Sequence, residues 1–294
     1  MAKYICAVLL IQVLVFVSQS FLSSGAVANP GAGARCVALT QISQELWTND
    51  VNRLSSSNIA LNYQSQIPQD TKTDHANQKL FTSINENKLS VATYQSFLSL
   101  LDNYVPDNGK IETQTTQELN EINTFLNAIL GTKVFDILLN YLQCRGLVTN
   151  QAHLRSVVTK IWFDFYPRSG SSTINDTSGF EHIMVGEYKS STIVNGFHNW
   201  LSFYVKEKSG QINYYGYVNR IEHLLIGATF TWNNRLKSMA TFFVGNSPEF
   251  DIAIYTLCFL TNPNKICPVI LNGRAMNIRT FAKDGHITTA YPEA

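Results

Sequence analysis

The chain has 294 residues and a formal net charge of +1; hydrophobic residues make up 45% of it and charged residues 15%. That composition can bury a substantial core and excludes a disordered or low-complexity protein. The near-zero charge also excludes capture of polyanions by a broad basic surface, so any nucleic-acid chemistry has to rest on a local site.

In chain order, residues 1–28 read as a secretory signal. Lys3 supplies a short positive start, Ala7 to Val17 is apolar apart from Gln12, and Ala26-Val27-Ala28 has the small residues of a cleavage site. The apolar run is short for a membrane span. The expectation is a secreted protein, free of the membrane once the signal is removed; a retained signal anchor is the competing reading. Residues 29–36 form a Gly/Ala-rich leader. Loss of the signal removes Cys6 and leaves Cys36, Cys144, Cys258 and Cys267. In an oxidising compartment four cysteines permit two disulfides, in three pairings. Cys258 with Cys267 would close a local loop, and Cys36 with Cys144 would then tie the N-terminus to a later helix. No Cys-x-x-Cys spacing suggests zinc.

Residues 37–170 read as helical. Ile42, Leu46, Trp47 and Val51 fall at helix spacing, as do Tyr94, Phe97, Leu98 and Leu101. Thr116 to Leu130 opens behind Thr115 with acidic residues in its first turn, and a further helix runs from Val134 to Leu142. Residues 171–294 are richer in aromatic and β-branched residues. Candidate strands are His182–Val185, Gln211–Val218, His223–Trp232 and Ala240–Val244. Ser247-Pro248-Glu249 is a helix start, with Phe250, Ile254, Leu257 and Cys258 on the buried side, and two or three short strands close the chain. The predicted class is α+β: an N-terminal helical subdomain followed by a mixed, mainly antiparallel sheet with flanking helices. Asn175-Asp176-Thr177 is a glycosylation sequon in the loop before the sheet-rich part.

The chemistry points to His182 and His198. Each follows a phenylalanine closely and leads into an apolar run. Imidazoles titrate near neutrality, so a pair can divide acid and base roles. RNA carries its own nucleophile, the ribose 2′-hydroxyl; two histidines and a cation suffice to cleave it, and Lys237 is a candidate cation. On spacing alone such triplets are common, and structural histidine is the competing reading. Trp200, Phe203 and Tyr204 recur at helical spacing after His198 and read as core. Arg168, Tyr188 and Lys189 could touch phosphate, but solvated loop positions are the simpler reading, as a surface role is for His223 and His286. No Gly-x-Ser-x-Gly elbow supports a serine hydrolase.

Several blocks then coincide. SGFEH…VGE, GFHNW, W-x-x-x-x-K, SPEF-x-x-A-x-YTLCF and a C-terminal T-x-Y-P, preceded by ELWTNDVNRL, FLSLLDNYVPDNGKIETQTTQE and IWFDFYPR, resemble the EndoU (XendoU-type) family of poly(U)-specific endoribonucleases over Leu39 to Pro292. The resemblance implies His198 as the base on the 2′-hydroxyl, His182 as the acid on the leaving oxygen, and Lys237 as the cation at the phosphorus. It implies a 2′,3′-cyclic phosphate product, with Thr289 and Tyr291 lining the nucleotide pocket, an aromatic face suited to unstacked bases. Thr241 stands where many relatives carry a uracil-reading serine; it keeps the hydroxyl and adds a methyl. The family aspartate before SGFEH is displaced to Asp176. Glu181 and Glu187 match acidic positions coupled to activity, and the family is stimulated by Mn2+. Were Glu181–Glu187 a strand, Glu181 and His182 would face opposite ways, leaving Glu181 and Glu187 as weak metal ligands and the RNA phosphate as an alternative carrier of the ion. The implied partner is single-stranded, U-containing RNA, and the protein is expected to be a monomer. A secreted RNA-binding protein of the same fold, without efficient turnover, is the competing function.

Overall fold

The computed structural model describes residues 36–168 and 173–293. The signal at residues 1–28 and most of the leader lie outside them. The N-terminal half holds helices α1 (Leu39–Thr48), α2 (Ala92–Leu98), α3 (Thr116–Leu130), α4 (Lys133–Cys144) and α5 (Gln151–Phe163). Between α1 and α2 it also holds a small antiparallel hairpin, β1 (Ile59–Leu61) with β2 (Phe81–Ile84). Helix starts follow local chemistry: Thr115 and Glu118 form a reciprocal capping box, and Thr132 and Asn150 cap α4 and α5. Cys36 bonds to Cys144 and Cys258 to Cys267. The first bond fixes the chain before α1 to the end of α4; the second closes a local loop nine residues apart in sequence.

The second half contains the short pair β3 (Glu187–Tyr188) and β4 (Val194–Asn195), helix α6 (Trp200–Lys208), and an antiparallel meander of β5 (Ile212–Ile221), β6 (Leu225–Trp232) and β7 (Arg235–Phe243). Helix α7 (Pro248–Thr261) follows, then a second meander of β8 (Ile266–Leu271), β9 (Arg274–Lys283) and β10 (His286–Glu293). Helix α1 packs on β8, α7 on β9 and α6 on β5, while β10 lies against β7. The α+β class is the one expected.

Three local expectations are corrected. His182–Val185 is not a strand: Glu181–Val185 winds as a wide helical turn, because Ser178 captures the Glu181 and His182 N–H groups and the Gly186 N–H reaches back to the Glu181 carbonyl. Val51 is 83% exposed and lies beyond α1, which stops at Thr48. Helix α7 has no exposed face at all through Phe259, so its buried residues include Glu249 and Asp251 as well as the four expected.

Those two carboxyls sit with Asp50 at the start of α7. The Ser247 N–H donates to Asp50, Asn52 donates to Glu249, and Asn246 and Asn199 donate to the two oxygens of Asp251. Burial pushes the Asp50 carboxyl up to about 7, with Glu249 adding repulsion against the hydrogen bonds that oppose it. The folded state therefore holds a proton on Asp50 that the unfolded chain releases above about 4, and this contribution to stability is lost as pH rises from there through about 7. Asp50→Asn keeps the acceptor and removes the charge. Urea unfolding at pH 5 and pH 8 is expected to show the variant gaining stability relative to the native protein at the higher pH, by at most on the order of 3 kcal/mol. A difference independent of pH would mean that Asp50 is ionised throughout.

Candidate active site

Backbone geometry brings the two histidines together. The loop Asn195–His198 leaves β4 and docks on the turn that carries His182: the Phe197 N–H donates to the His182 carbonyl at 2.9 Å and the His198 N–H to the Ile183 carbonyl at 2.6 Å. Gly196 sits at φ +63°, and a Cβ there would lie 1.9 Å from the His182 carbonyl oxygen, so only glycine allows this approach. Gly186, at φ +89°, packs in the same way against Phe197. Phe180 anchors the turn from below, stacked on Phe163 at 5.1 Å and touching Phe97 and Phe125. Asn199 then caps α6, and Trp200, Phe203 and Tyr204 are core, as expected.

His182 is buried between an acid and a base. Its Nδ1 lies 3.1 Å from Glu187 Oε2, a charge contact whose angle falls short of a straight hydrogen bond. Its Nε2 lies 3.0 Å from Arg168 Nη2. A guanidinium only donates, so Nε2 accepts and the imidazole proton sits on Nδ1, facing the carboxylate. Burial brings the His182 pKa down to about 4; the Arg168 and Lys237 charges push the same way, and Glu187 opposes them.

His198 is held differently. Its Nδ1 donates to the Thr241 carbonyl at 3.0 Å, which leaves the Nε2 lone pair free. The Tyr291 ring stacks on it at 5.1 Å and 22°. Burial, then Lys237 and His182, hold its pKa well below the ordinary value. Lys237, half-buried on β7, is brought down to about 8, by burial first and then by Arg168.

Glu187 has no solvent exposure, yet it stays a carboxylate. Burial alone would raise its pKa, but His182, Arg168 (Nε at 3.7 Å) and the Thr177 hydroxyl outweigh that and hold it below the ordinary value. Arg168 is therefore not the solvated loop residue expected from sequence. Its Nη1 also donates to the Thr288 carbonyl at 2.7 Å and to the Tyr166 hydroxyl, and Asp176 accepts its backbone N–H. Tyr188 is likewise a structural residue, buried against Trp232 under Arg235. Sequence reasoning undervalued Arg168; its place at the end of the IWFDFYPR block was the available signal.

Thr241 and Tyr291 line one cavity of ≈ 540 Å³ with Asn219, Met239, Met276 and Asn277. Thr289 does not line it; strand alternation places it on the same face of β10 as Tyr291. His286 stacks on Tyr166, and His223 lies in the exposed turn before β6. Asn175 is exposed, whereas Asp176 and Thr177 of the same sequon are buried.

Glu181 is 1% exposed, and neither carboxylate oxygen has a hydrogen-bond partner. Burial and then the Glu187 charge keep its pKa well above the ordinary value, favouring the protonated form. Glu187 is already committed to His182 and Thr177. Among the described residues no three His, Cys, Asp or Glu side chains converge to hold a metal ion, so the residues present do not form a protein cage for manganese.

The arrangement offers a free imidazole nitrogen, a second imidazole within reach of two cations, and an aromatic-walled cavity beside them, a set suited to proton transfer around a phosphodiester. Comparison with known proteins agrees. The family model described as Endoribonuclease XendoU matches residues 38–292. "Uridylate-specific endoribonuclease C" of Xenopus laevis is 37% identical over 258 residues, covering 85% of this chain and 84% of that protein. "Uridylate-specific endoribonuclease B" of Danio rerio is 38% identical over 271 residues, covering 86% and 95%. The solved structure "The structure of XendoU: a splicing independent snoRNA processing endoribonuclease" superposes with a TM-score of 0.75 at 33% identity, covering 88% of this chain and 98% of that one. On the fold, the site and these matches together, the chain belongs to the XendoU family of endoribonucleases.

Proposed function

We propose that this endoribonuclease cuts single-stranded RNA at uridines and leaves a 2′,3′-cyclic phosphate. The observation that carries this reading is the tautomer pinned on His198: with Nδ1–H spent on the Thr241 carbonyl, Nε2 is the acceptor that a 2′-hydroxyl requires. His198 takes that proton as the 2′-oxygen bonds to phosphorus. The bond from phosphorus to the 5′-oxygen breaks, and His182 gives that oxygen a proton. Lys237 neutralises the non-bridging oxygens. In the free protein His182 is neutral and its Nε2 accepts from Arg168; an incoming phosphate draws the guanidinium to itself and favours charging of the imidazole. Uridine is read by Thr241 in the cavity walled by Tyr291.

The secretory signal and the two disulfides support a secreted protein, acting as a monomer and carrying a glycan on Asn175. Manganese stimulation belongs to the proposal through the substrate: the ion would arrive on RNA phosphate.

Incubating the mature protein with a single-uridine oligonucleotide, with and without manganese, tests the reading. Cleavage 3′ of uridine with a cyclic phosphate end is expected; binding without cleavage in either condition would overturn it. His182→Ala and His198→Ala are each expected to lower the cleavage rate by about 10²–10⁴-fold while retaining RNA affinity. Thr241→Ala is expected to relax the preference for uridine over cytidine, measured as the ratio of kcat/KM; an unchanged ratio would remove Thr241 from base reading.

The sign of the pH dependence follows from Arg168. Its positive charge lowers the His182 pKa, so Arg168→Gln lets His182 keep its proton to higher pH. The alkaline limb of kcat/KM is expected to move upward even as the rate falls. A limb that stays in place would show that His182 is not the acid.

A further inference from the structure

We infer that a second cavity, on the far side of Lys237 from the uridine pocket, is the subsite for the nucleotide on the 3′ side of the cut. The inference rests on the cleavage reading above. The cavity measures ≈ 630 Å³, and its wall includes Leu236, Lys237 and Ser238 of β7. Met239 and Thr241 of the same strand line the uridine cavity. One strand thus passes under both, with an irregularity between Lys237 and Ala240, where the pairing with β6 shifts register.

Neither imidazole is a wall of either cavity, and the polarity of the RNA follows from the residues each cavity shares with the surroundings of a histidine. The uridine cavity shares Thr241 and Tyr291 with His198, the base. The second cavity shares Asn195 with the loop that docks on the His182 backbone, and Asn195 pairs with Glu187, the partner of His182. His182 protonates the departing 5′-oxygen, so the nucleotide bearing that oxygen leaves into the cavity on its side.

The walls suit an unstacked base with its phosphate. Ile193 is 45% exposed at the rim, with Tyr215 half-buried beside it, and together they offer apolar and aromatic faces. Asn195 and Asn234 each offer a carboxamide donor and acceptor, which accommodates any base edge and specifies none. Lys72 makes no ion pair among the described residues, although Asp70 on the same rim offsets part of its charge. Affinity here therefore comes chiefly from the base, and base preference is weak.

Two substrates test this: uridine 3′-(p-nitrophenyl phosphate), which has no nucleoside 3′ of the cut, and a single-uridine oligonucleotide continuing several nucleotides beyond it. The double variant Lys72→Ala/Ile193→Ala changes two exposed side chains and no residue of the histidine site. Its kcat/KM is expected to fall about tenfold on the oligonucleotide, the scale of one lost base contact, and to stay within about twofold on the nitrophenyl ester. Equal losses on both substrates, or no loss on the oligonucleotide, would overturn the subsite. In the native protein, adding the first nucleotide 3′ of uridine is expected to raise kcat/KM by about tenfold, with little dependence on its base; no gain would also overturn the subsite while leaving cleavage intact. Failure of the native protein to cut either substrate would overturn the cleavage reading, and the subsite with it.

Discussion

A fully buried carboxylate, Glu187, organises the site. An unpaired charge at that depth would cost several kcal/mol, and the surroundings supply its partners. Thr177 donates a hydrogen bond from the loop before the histidine turn, while His182 Nδ1 at 3.1 Å and Arg168 Nε at 3.7 Å lie against it from the turn itself and from the segment after α5. Three separate pieces of chain thus meet at one carboxylate. With Glu187 facing Nδ1 and the Arg168 guanidinium donating to Nε2, the His182 proton sits on Nδ1, so the charges that assemble the site also set a tautomer.

Burial, rather than charge pairing, dominates the titration of the two imidazoles. Desolvation is the largest influence on each and drives both toward the neutral form; Glu187 opposes it at His182 without overcoming it. A neutral His198 is already competent as a base. A neutral His182 has its Nε2 facing the Arg168 guanidinium, and the Lys237 charge also disfavours its protonation. On the proposed roles, a substrate phosphate beside His182 would favour its charged form, linking binding to charging of the acid.

Much of this was legible in the sequence. The cap at Ser247, the core role of Trp200 and most strands of the sheet-rich half, though not their bounds or pairing, could be read from pattern, and the histidines and lysine were singled out by resemblance. What escaped was decided by tertiary contacts. The Glu181–Val185 turn reads as a β-like apolar run, yet the Ser178 cap and the Gly186 turn wind it as a helix. Arg168 looks like a loop cation until Glu187, Thr288 and His182 are placed around it from distant sequence. Helix α7 carries acidic residues in its first turn, and donors from Asn199, Asn246 and Asn52 let them be buried. The hairpin β1–β2, with strands of three and four residues, is too short to announce itself.

The central claim is that the two histidines are neutral in the free protein and that the substrate phosphate charges His182. Imidazole ¹⁵N resonances at pH 7, recorded free and with an uncleavable 2′-deoxyuridine oligonucleotide, test it directly. The account predicts His182 neutral with its proton on Nδ1 when free and doubly protonated when bound, and His198 neutral with its proton on Nδ1 throughout. A His182 that is already charged in the free protein, or still neutral with the oligonucleotide bound, would contradict it.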